Sequence, residues 1–178
     1  MKLLRCRICG ETYLGTGAPD RCPFCGAAEQ YFVPAEQYPA DVNSVDLSEV
    51  ELADLQTAIG LERDNARFYA ALGAQAGNAT LQSAYKRLSA IEAEHCSVFC
   101  RLAGVAKPGD LREPSSSAGE WCADIADSVA REQRASAFYA EAARRATNER
   151  VREVLAAVSA VEIDHIEVDG LASRLAGC

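Results

Sequence analysis

The sequence predicts a mainly α-helical protein in which a small metal-binding knuckle domain precedes a four-helix bundle. Residues 1–33 hold two Cys-x-x-Cys pairs among glycines and prolines, whereas residues 47–178 are rich in Ala, Leu, Glu and Arg and contain only two prolines. With 49% hydrophobic and 25% charged residues, this chain of 178 residues has enough apolar surface to form a core. We expect residues 34–46, which carry two prolines and no periodic pattern, to link the two units.

The cysteine spacing predicts a metal site in the first unit. Both pairs, in CRICG and CPFCG, are followed by a glycine that lets the chain turn tightly, so that backbone N–H groups point at sulfur. A unit this short needs the free energy of metal binding to fold. Four thiolates suit either iron or zinc, and the spacing does not distinguish the two. The candidate ligands are Cys6, Cys9, Cys22 and Cys25.

The composition of the second unit predicts four helices, with one long connection in the middle. The predicted helices lie near 47–76, 79–104, 118–146 and 148–176. Short turns within the first and second pairs make the consecutive helices antiparallel. Residues 105–117 can extend to about 40 Å, at ~3.3 Å per residue, and a helix of about 26 residues is about 39 Å long. This connection can therefore run the length of the bundle, which predicts a ferritin-like topology with one long crossover.

An internal repeat places acidic and imidazole side chains on the inner faces of the helices. A shift of 70 residues superimposes the two halves, and the Phe-Tyr pair at 68–69 falls on the pair at 138–139. The chain has two histidines, and each lies three residues after a glutamate that interrupts an apolar seam. The inward-facing polar residues are Glu62, Glu92, His95, Glu132, Glu162 and His165.

These six side chains predict a dinuclear metal centre. Burying four uncompensated carboxylates costs several kcal/mol each, which a marginally stable bundle cannot absorb. Two divalent ions balance four carboxylates. One Glu on each of two helices, with Glu-x-x-His on the other two, is the pattern of di-iron and di-manganese carboxylate proteins. A lone buried Glu or His would be interpreted as a satisfied core group, but six in register favour metal.

Net charge and hydropathy limit which partners and which cellular location we expect for the protein. The 26 acidic and 18 basic residues give a net charge of −8, which repels nucleic acid and anionic membranes. No stretch approaches the roughly 20 apolar residues of a membrane helix, and cysteine and charge follow the first residues too closely for an apolar signal region. We expect a cytoplasmic protein without nucleic-acid or membrane partners.

The cysteines outside the knuckles give weaker signals. In a cytoplasmic chain, eight cysteines indicate metal or redox chemistry rather than a disulfide scaffold. We expect the remaining four to be buried thiols that pack as small apolar groups. They are Cys96, Cys100, Cys122 and Cys178.

Taken together, these motifs resemble those of the rubrerythrins. The segment RCRICGETYLGTGAPDRCPFCG is similar to their rubredoxin domain, and Glu92-Ala-Glu-His95 and Glu162-Ile-Asp-His165 are similar to their ferritin-like di-iron motif. The resemblance covers nearly the whole chain, and the domain order is that of the reverse rubrerythrins. It implies a single iron in the four-cysteine site that passes electrons, and iron in the dinuclear site, for which manganese is the alternative.

The resemblance also implies individual roles for the six bundle residues. One glutamate and one histidine would be terminal ligands of each iron, and the two remaining glutamates would bridge the irons. The implied terminal pairs are Glu62 with His95 and Glu132 with His165, and the implied bridges are Glu92 and Glu162.

Three further positions bear on the site. Tyr69 and Tyr139 each lie seven residues beyond a candidate ligand, where they either donate hydrogen bonds to carboxylates across the bundle or simply pack in the core. Rubrerythrins usually have a further carboxylate three residues after the third-helix glutamate, where this chain has Ala135. That departure predicts a more symmetric site, without the iron movement that accompanies redox change in the family.

The function that the resemblance implies is reduction of hydrogen peroxide in oxidative-stress defence, by a homodimer in which electrons pass between subunits. An external NAD(P)H-dependent reductase would supply the electrons, because the chain has no nucleotide-binding glycine loop. The alternatives are oxygen reduction or ferroxidase activity at the same site, a metal-binding or storage protein without turnover, and an interaction protein with structural zinc. A storage shell would not need the four knuckle cysteines.

Overall fold

The computed structural model describes residues 1–178, and a small antiparallel sheet begins it. Strands β1 (Lys2–Cys6), β2 (Thr12–Gly15) and β3 (Phe32–Pro34) form this sheet in the order β2-β1-β3. The first cysteine knuckle connects β1 to β2, and the second lies between β2 and β3. The sheet therefore brings both knuckles to one end of the unit.

Four long helices follow, so the predicted mainly α-helical fold with a preceding knuckle unit is confirmed. They are α1 (Glu49–Ala74), α2 (Ala79–Ala103), α3 (Trp121–Arg145) and α4 (Glu149–Ala176). Helix α1 starts two residues later than predicted because Ser48 forms a capping box with Glu51. Helix α3 starts three residues late because the backbone N–H groups of residues 118 and 119 donate to the Asp124 carboxylate instead of continuing the helix.

The connection between α2 and α3 runs the length of the bundle, as predicted. It leaves α2 at one end and reaches Trp121 at the other, where the indole N–H donates to the Ala76 carbonyl at 3.2 Å. Along the way Arg63 of α1 binds Asp110, and Arg67 donates to the Glu113 carbonyl at 3.1 Å. These contacts hold the crossover against α1 and give the ferritin-like topology.

The start of α1 is joined to the end of α3 by one buried carboxylate. Glu51 accepts hydrogen bonds from the backbone N–H groups of Thr147 and Asn148, at 2.9 and 2.7 Å. Burial opposes ionisation, but bonds from Ser48 and from these N–H groups outweigh it and lower the pKa of Glu51 to about 2. The ionised side chain thus fixes the antiparallel arrangement of the two helices.

We predict that Glu51→Gln lowers the melting temperature at pH 7, with a smaller difference at pH 2. Because the folded-state pKa lies below the unfolded value, this carboxylate stabilises the fold at neutral pH and loses that effect as the pH falls through about 2. Circular-dichroism melts at both pH values check this, with the exposed Glu49→Gln as control. An equal loss at both pH values would contradict the charge-based explanation.

One prediction for the remaining cysteines is wrong. Cys122 and Cys178 are exposed and form a disulfide with a Cα–Cα distance of 5.7 Å. Since α3 and α4 are antiparallel, the first turn of α3 meets the last residues of α4, and this brings the thiols within bonding distance. Cys96 and Cys100 are buried free thiols, as predicted, and pack near Leu111.

The knuckle unit docks on its own bundle. The buried guanidinium of Arg150 donates to the carbonyls of Arg7 and Ile8 at 2.7 and 3.2 Å. Gly26 has φ +73°, and a Cβ at this position would lie 2.6 Å from a methyl group of Val161. The two units share one apolar core, so the boundaries after residues 33 and 46 stay a prediction.

All four helices carry charged residues along their length. None of the four is long and apolar enough to cross a bilayer. Their apolar stripes face one another above and below a polar layer at the middle of the bundle.

Candidate metal centres

The four knuckle cysteines converge on one buried point. All are at most 3% exposed, and their sulfur atoms lie within 4.8 Å of one another. The backbone N–H groups of Gly10 and Gly26 close the two knuckles on the carbonyls of the first cysteine in each pair, at 2.7 and 2.8 Å. Both glycines have positive φ, 78° and 73°, which residues with a Cβ rarely adopt. The four sulfurs suit one tetrahedrally coordinated metal ion.

Proton sharing among the thiols fits this use. The thiol of Cys9 lies 3.8 Å from the sulfur of Cys22. That hydrogen bond raises the pKa of Cys9, and bonds from the other thiols, chiefly Cys25, lower the pKa of Cys22. The metal-free site therefore shares protons among its thiols, and a bound metal would have to displace them.

The six polar residues of the predicted seams meet in the middle of the bundle, and all are at most 4% exposed. Their ligand atoms form two groups, each within 4.8 Å, that share Glu92 and Glu162. The first group adds Glu62 and His95, and the second adds Glu132 and His165. The structure thus brings together all six residues, in the pairing that the resemblance implies.

Each imidazole faces three carboxylates through its Nδ1 atom. For His95 the distances are 3.6 Å to Glu62, 3.5 Å to Glu92 and 3.3 Å to Glu162. For His165 they are 2.9 Å to Glu92, 2.9 Å to Glu162 and 3.6 Å to Glu132. The two halves of the cluster are therefore close to symmetric.

The cluster leaves buried polar atoms without hydrogen-bond partners, and this tests whether a metal fits. Eight such side-chain atoms are present in the protein, and all belong to the six cluster residues. Buried polar atoms are normally paired, because each unpaired group costs about 1–3 kcal/mol. Carboxylate oxygens with neutral imidazole nitrogens are suitable ligands for iron, manganese or zinc, so the donor set fits two divalent ions.

Protonation states show how the metal-free cluster compensates its charge. Burial raises the pKa of Glu62 and Glu132 well above the usual range, and the neighbouring carboxylates raise it further. Burial alone lowers the pKa of His95 and His165, but the facing carboxylates outweigh this and raise it well above the usual value. The metal-free cluster therefore holds protons at neutral pH.

We predict that divalent metal binding at the bundle site releases protons and weakens as the pH falls. The raised pKa values mean that metal must displace protons near pH 7, and a lower pH opposes this displacement. Calorimetry of metal-free protein in buffers with different ionisation enthalpies counts the protons released. Glu94→Gln, off the cluster, should release the same number, and binding without proton release would contradict the proposed ligands.

Two tyrosines hold the cluster from either side. Tyr139 of α3 donates to a Glu62 oxygen at 2.8 Å, and Tyr69 of α1 donates to Glu132. Both rings are fully buried, and burial raises the pKa of each phenol, so the hydroxyl groups keep their protons. The two tyrosines therefore both donate hydrogen bonds to carboxylates and pack in the core.

One hydrogen bond connects the two candidate centres. His95 Nε2 lies 2.8 Å from the carbonyl oxygen of Cys25, while its Nδ1 faces the cluster. Sequence reasoning missed this contact because it depends on how the knuckle docks. Ala135 is buried in the apolar core, so the cluster has no additional carboxylate at this position.

Sequence reasoning also missed Asp169, a fully buried acid on α4. It lies four residues beyond His165 and continues the spacing of that seam, which was a usable signal. Its carboxylate accepts a hydrogen bond from Tyr85 at 2.8 Å and lies 2.6 Å from the Ser128 hydroxyl. Ser128 in turn lies 2.9 Å from the hydroxyl of Tyr69.

A four-cysteine knuckle docked on a ferritin-like bundle with a carboxylate–imidazole cluster defines a protein with two adjacent candidate metal centres. Residues 5–33 match the family described as "Rubrerythrin, rubredoxin-like domain". The chain is 32% identical over 122 residues to Reverse rubrerythrin-1 of Clostridium acetobutylicum, which covers 63% of this chain and 67% of that protein. No solved structure matches. The chain belongs to the rubrerythrin family, with the rubredoxin-like domain first.

Proposed function

We propose that the protein is a non-haem di-iron peroxidase that reduces hydrogen peroxide to water. The observation that carries the proposal is the hydrogen bond between His95 of the bundle cluster and the Cys25 carbonyl of the knuckle, at 2.8 Å. An electron-transfer site in contact with a dinuclear site is useful for turnover, and neither a storage protein nor a structural zinc protein needs it. The family membership supports an oxidoreductase.

The proposed ligands follow the two groups of the cluster. Glu92 and Glu162 belong to both groups and would bridge two irons. The terminal ligands would be Glu62 with His95 and Glu132 with His165, and one iron would sit among Cys6, Cys9, Cys22 and Cys25. Manganese in the bundle and zinc in the knuckle are the alternative metals.

Reduction of one peroxide to two waters consumes two electrons and two protons. When bound, the two bundle irons would supply the electrons together, and the knuckle iron would return them singly. Tyr69 and Tyr139 keep protonated hydroxyl groups at the edges of the cluster, where they orient Glu132 and Glu62. The buried helices exclude bulk water, which strengthens these hydrogen bonds.

The docking of the knuckle supports electron transfer within one chain. The resemblance implied transfer between the subunits of a homodimer, but here Cys25 contacts His95 of its own chain. Arg101 also donates to the Cys9 carbonyl at 2.7 Å, and Arg21 pairs with Asp164 at 2.7 Å. A homodimer is compatible with this route and is not required for it. The electrons would come from a separate NAD(P)H-dependent reductase in the cytoplasm.

Metal analysis, visible spectroscopy and peroxide consumption test the proposal on the full chain purified without oxygen. We expect two irons in the bundle and one in the knuckle, a red oxidised protein that bleaches on reduction, and NADH-driven peroxide loss with an added reductase. A colourless protein with zinc in the knuckle would overturn the electron route.

A second candidate function is oxygen reduction or ferroxidase activity at the same site. The observation that favours it is Ala135, since the family's additional carboxylate is missing there. Rates with peroxide and with dioxygen, measured at equal enzyme and reductant, decide between the two. Faster turnover of dioxygen would make the second candidate the function.

A further inference from the structure

A chain of four buried oxygen atoms leads away from the bundle cluster. Tyr69 donates to Glu132, the Tyr69 and Ser128 hydroxyl groups lie 2.9 Å apart, and Ser128 lies 2.6 Å from Asp169. All four side chains are fully buried. Beyond them, Tyr85 donates to the second oxygen of Asp169 at 2.8 Å. The chain connects a proposed metal ligand to an acid that belongs to neither ligand group.

Counting protons shows that this chain needs one more than its hydroxyl groups supply. Three contacts between four oxygens require three protons, and Tyr69 and Ser128 bring one each. If Glu132 and Asp169 were both ionised, each hydroxyl group would donate to its carboxylate. No proton would then lie between the oxygens of Tyr69 and Ser128, and their lone pairs would face each other away from water. When the chain is fully hydrogen-bonded, the third proton lies on Asp169 or on Glu132. A metal at Glu132 would leave it on Asp169, with every donor in the chain directed toward the cluster.

The duplicated bundle carries this chain in only one half. The 70-residue shift that superimposes Tyr69 on Tyr139 and Glu132 on Glu62 places apolar residues at the two remaining positions. Ser128 corresponds to Ala58, and Asp169 corresponds to Phe99. These two counterparts are fully buried as well. The half of the bundle that contains Tyr139 therefore has apolar side chains where the half that contains Tyr69 has hydrogen-bonding ones. Symmetric packing does not require the polar residues.

We propose that Asp169, Ser128 and Tyr69 form a proton relay that feeds the Glu132 side of the dinuclear site. The inference rests on the proposed peroxidase function, in which each peroxide takes up two protons. In one passage Asp169 gives its proton to Ser128, Ser128 gives its own to Tyr69, and Tyr69 gives its own to an oxygen at the site. Asp169 is then reprotonated from solvent, and two passages supply both protons. Electrons arrive separately, from the knuckle.

The surroundings of Asp169 suit this role. Burial raises the pKa of its carboxyl to about 6, although bonds from Ser128 and Tyr85 and the charge of His165 oppose the shift. The side chain therefore changes protonation close to neutral pH. The titratable and hydroxyl groups near it are Tyr69 from α1, Tyr85 and Glu92 from α2, Ser128 from α3 and His165 on its own helix. Toward the surface, the half-buried indole of Trp121 stacks on Tyr85, with ring centroids 6.0 Å apart.

The first test does not depend on turnover. Infrared spectra of the full chain loaded with redox-inert zinc should contain a protonated-carboxyl band that disappears as the pH rises and is missing in Asp169→Asn. The matched control is Asp124→Asn, which removes another buried acid that lies outside the chain of oxygens. A band that survives in Asp169→Asn, or that never appears, would overturn the relay.

The second test measures peroxide turnover in variants with unchanged iron content and helicity. Asp169→Asn and Ser128→Ala should each slow turnover roughly 10-fold to 100-fold. They should also enlarge the solvent isotope effect, whereas Asp169→Glu and Ser128→Thr should restore much of the rate. Unchanged rates and isotope effects in both Asp169→Asn and Ser128→Ala would reject the relay. Absence of turnover in the parent protein would reject the peroxidase instead, and the infrared result would still decide the protonation of Asp169.

Discussion

Protein carrying Glu92→Ala is expected to lose most of the metal of its bundle site, while protein carrying Glu94→Ala keeps it. Glu92 belongs to both ligand groups, so its removal takes one donor from each metal position. Glu94 lies two residues away on the same helix but pairs with Arg101 at 3.1 Å, outside the cluster. The two variants therefore separate a ligand from a neighbouring acid of the same helix.

The expected loss of affinity exceeds the roughly 10-fold to 100-fold that partners of ligands usually contribute. Metal per chain after dialysis measures it, and the knuckle metal serves as an internal reference that should not change. Glu162→Ala and Asp164→Ala repeat the comparison in the second half, since Asp164 pairs with Arg21. Equal metal loss from all four variants would contradict the assignment of the ligands.

Stability distinguishes loss of a ligand from misfolding. Without metal, Glu92 lies 2.9 Å from the Nδ1 atom of protonated His165, so its removal breaks a buried ion pair and should lower the metal-free melting temperature. With metal, the parent protein gains stability from binding that the variant lacks. Loss of helical circular-dichroism signal in the metal-free variant at low temperature would indicate damage to the fold.

The features that were predictable from the sequence are those that a single helix determines. Spacings of three and four residues placed Glu92 and His95 on one face, and the other seams followed by the same rule. The crossover was predictable because the length of residues 105–117 could be compared with the length of a helix. In each case local geometry was sufficient.

The features that were missed depend on which surfaces meet. The Cys122–Cys178 disulfide requires the first turn of α3 to lie beside the last turn of α4, and the antiparallel prediction was not carried that far. The contact between His95 and Cys25 forms only when the knuckle docks on the bundle. The composition of the linker does not predict where the knuckle docks. Asp169 continued a visible seam, but its partner Tyr85 lies on another helix.

Mixing a Cys9→Ala subunit with a Glu92→Ala subunit is expected to restore no peroxide turnover beyond that of the two parents. Each parent lacks one centre, and a mixed dimer would hold one intact knuckle and one intact cluster on different chains. In the structure the knuckle contacts the cluster of its own chain through Cys25 and His95, at 2.8 Å. The intact knuckle would therefore face a damaged cluster, and the intact cluster a damaged knuckle.

The docking contacts make exchange between chains unfavourable. Releasing the knuckle would leave the Arg150 guanidinium, 9% exposed, without its two carbonyl partners and would uncover the apolar surface around Val161. Heterodimers must be verified by mass, with metal retained at the intact sites, and a mixture of parent protein with either variant serves as control. Recovered NADH-driven turnover in the verified heterodimer would establish transfer between subunits. If the chain forms no dimer at all, transfer within one chain is the only remaining route.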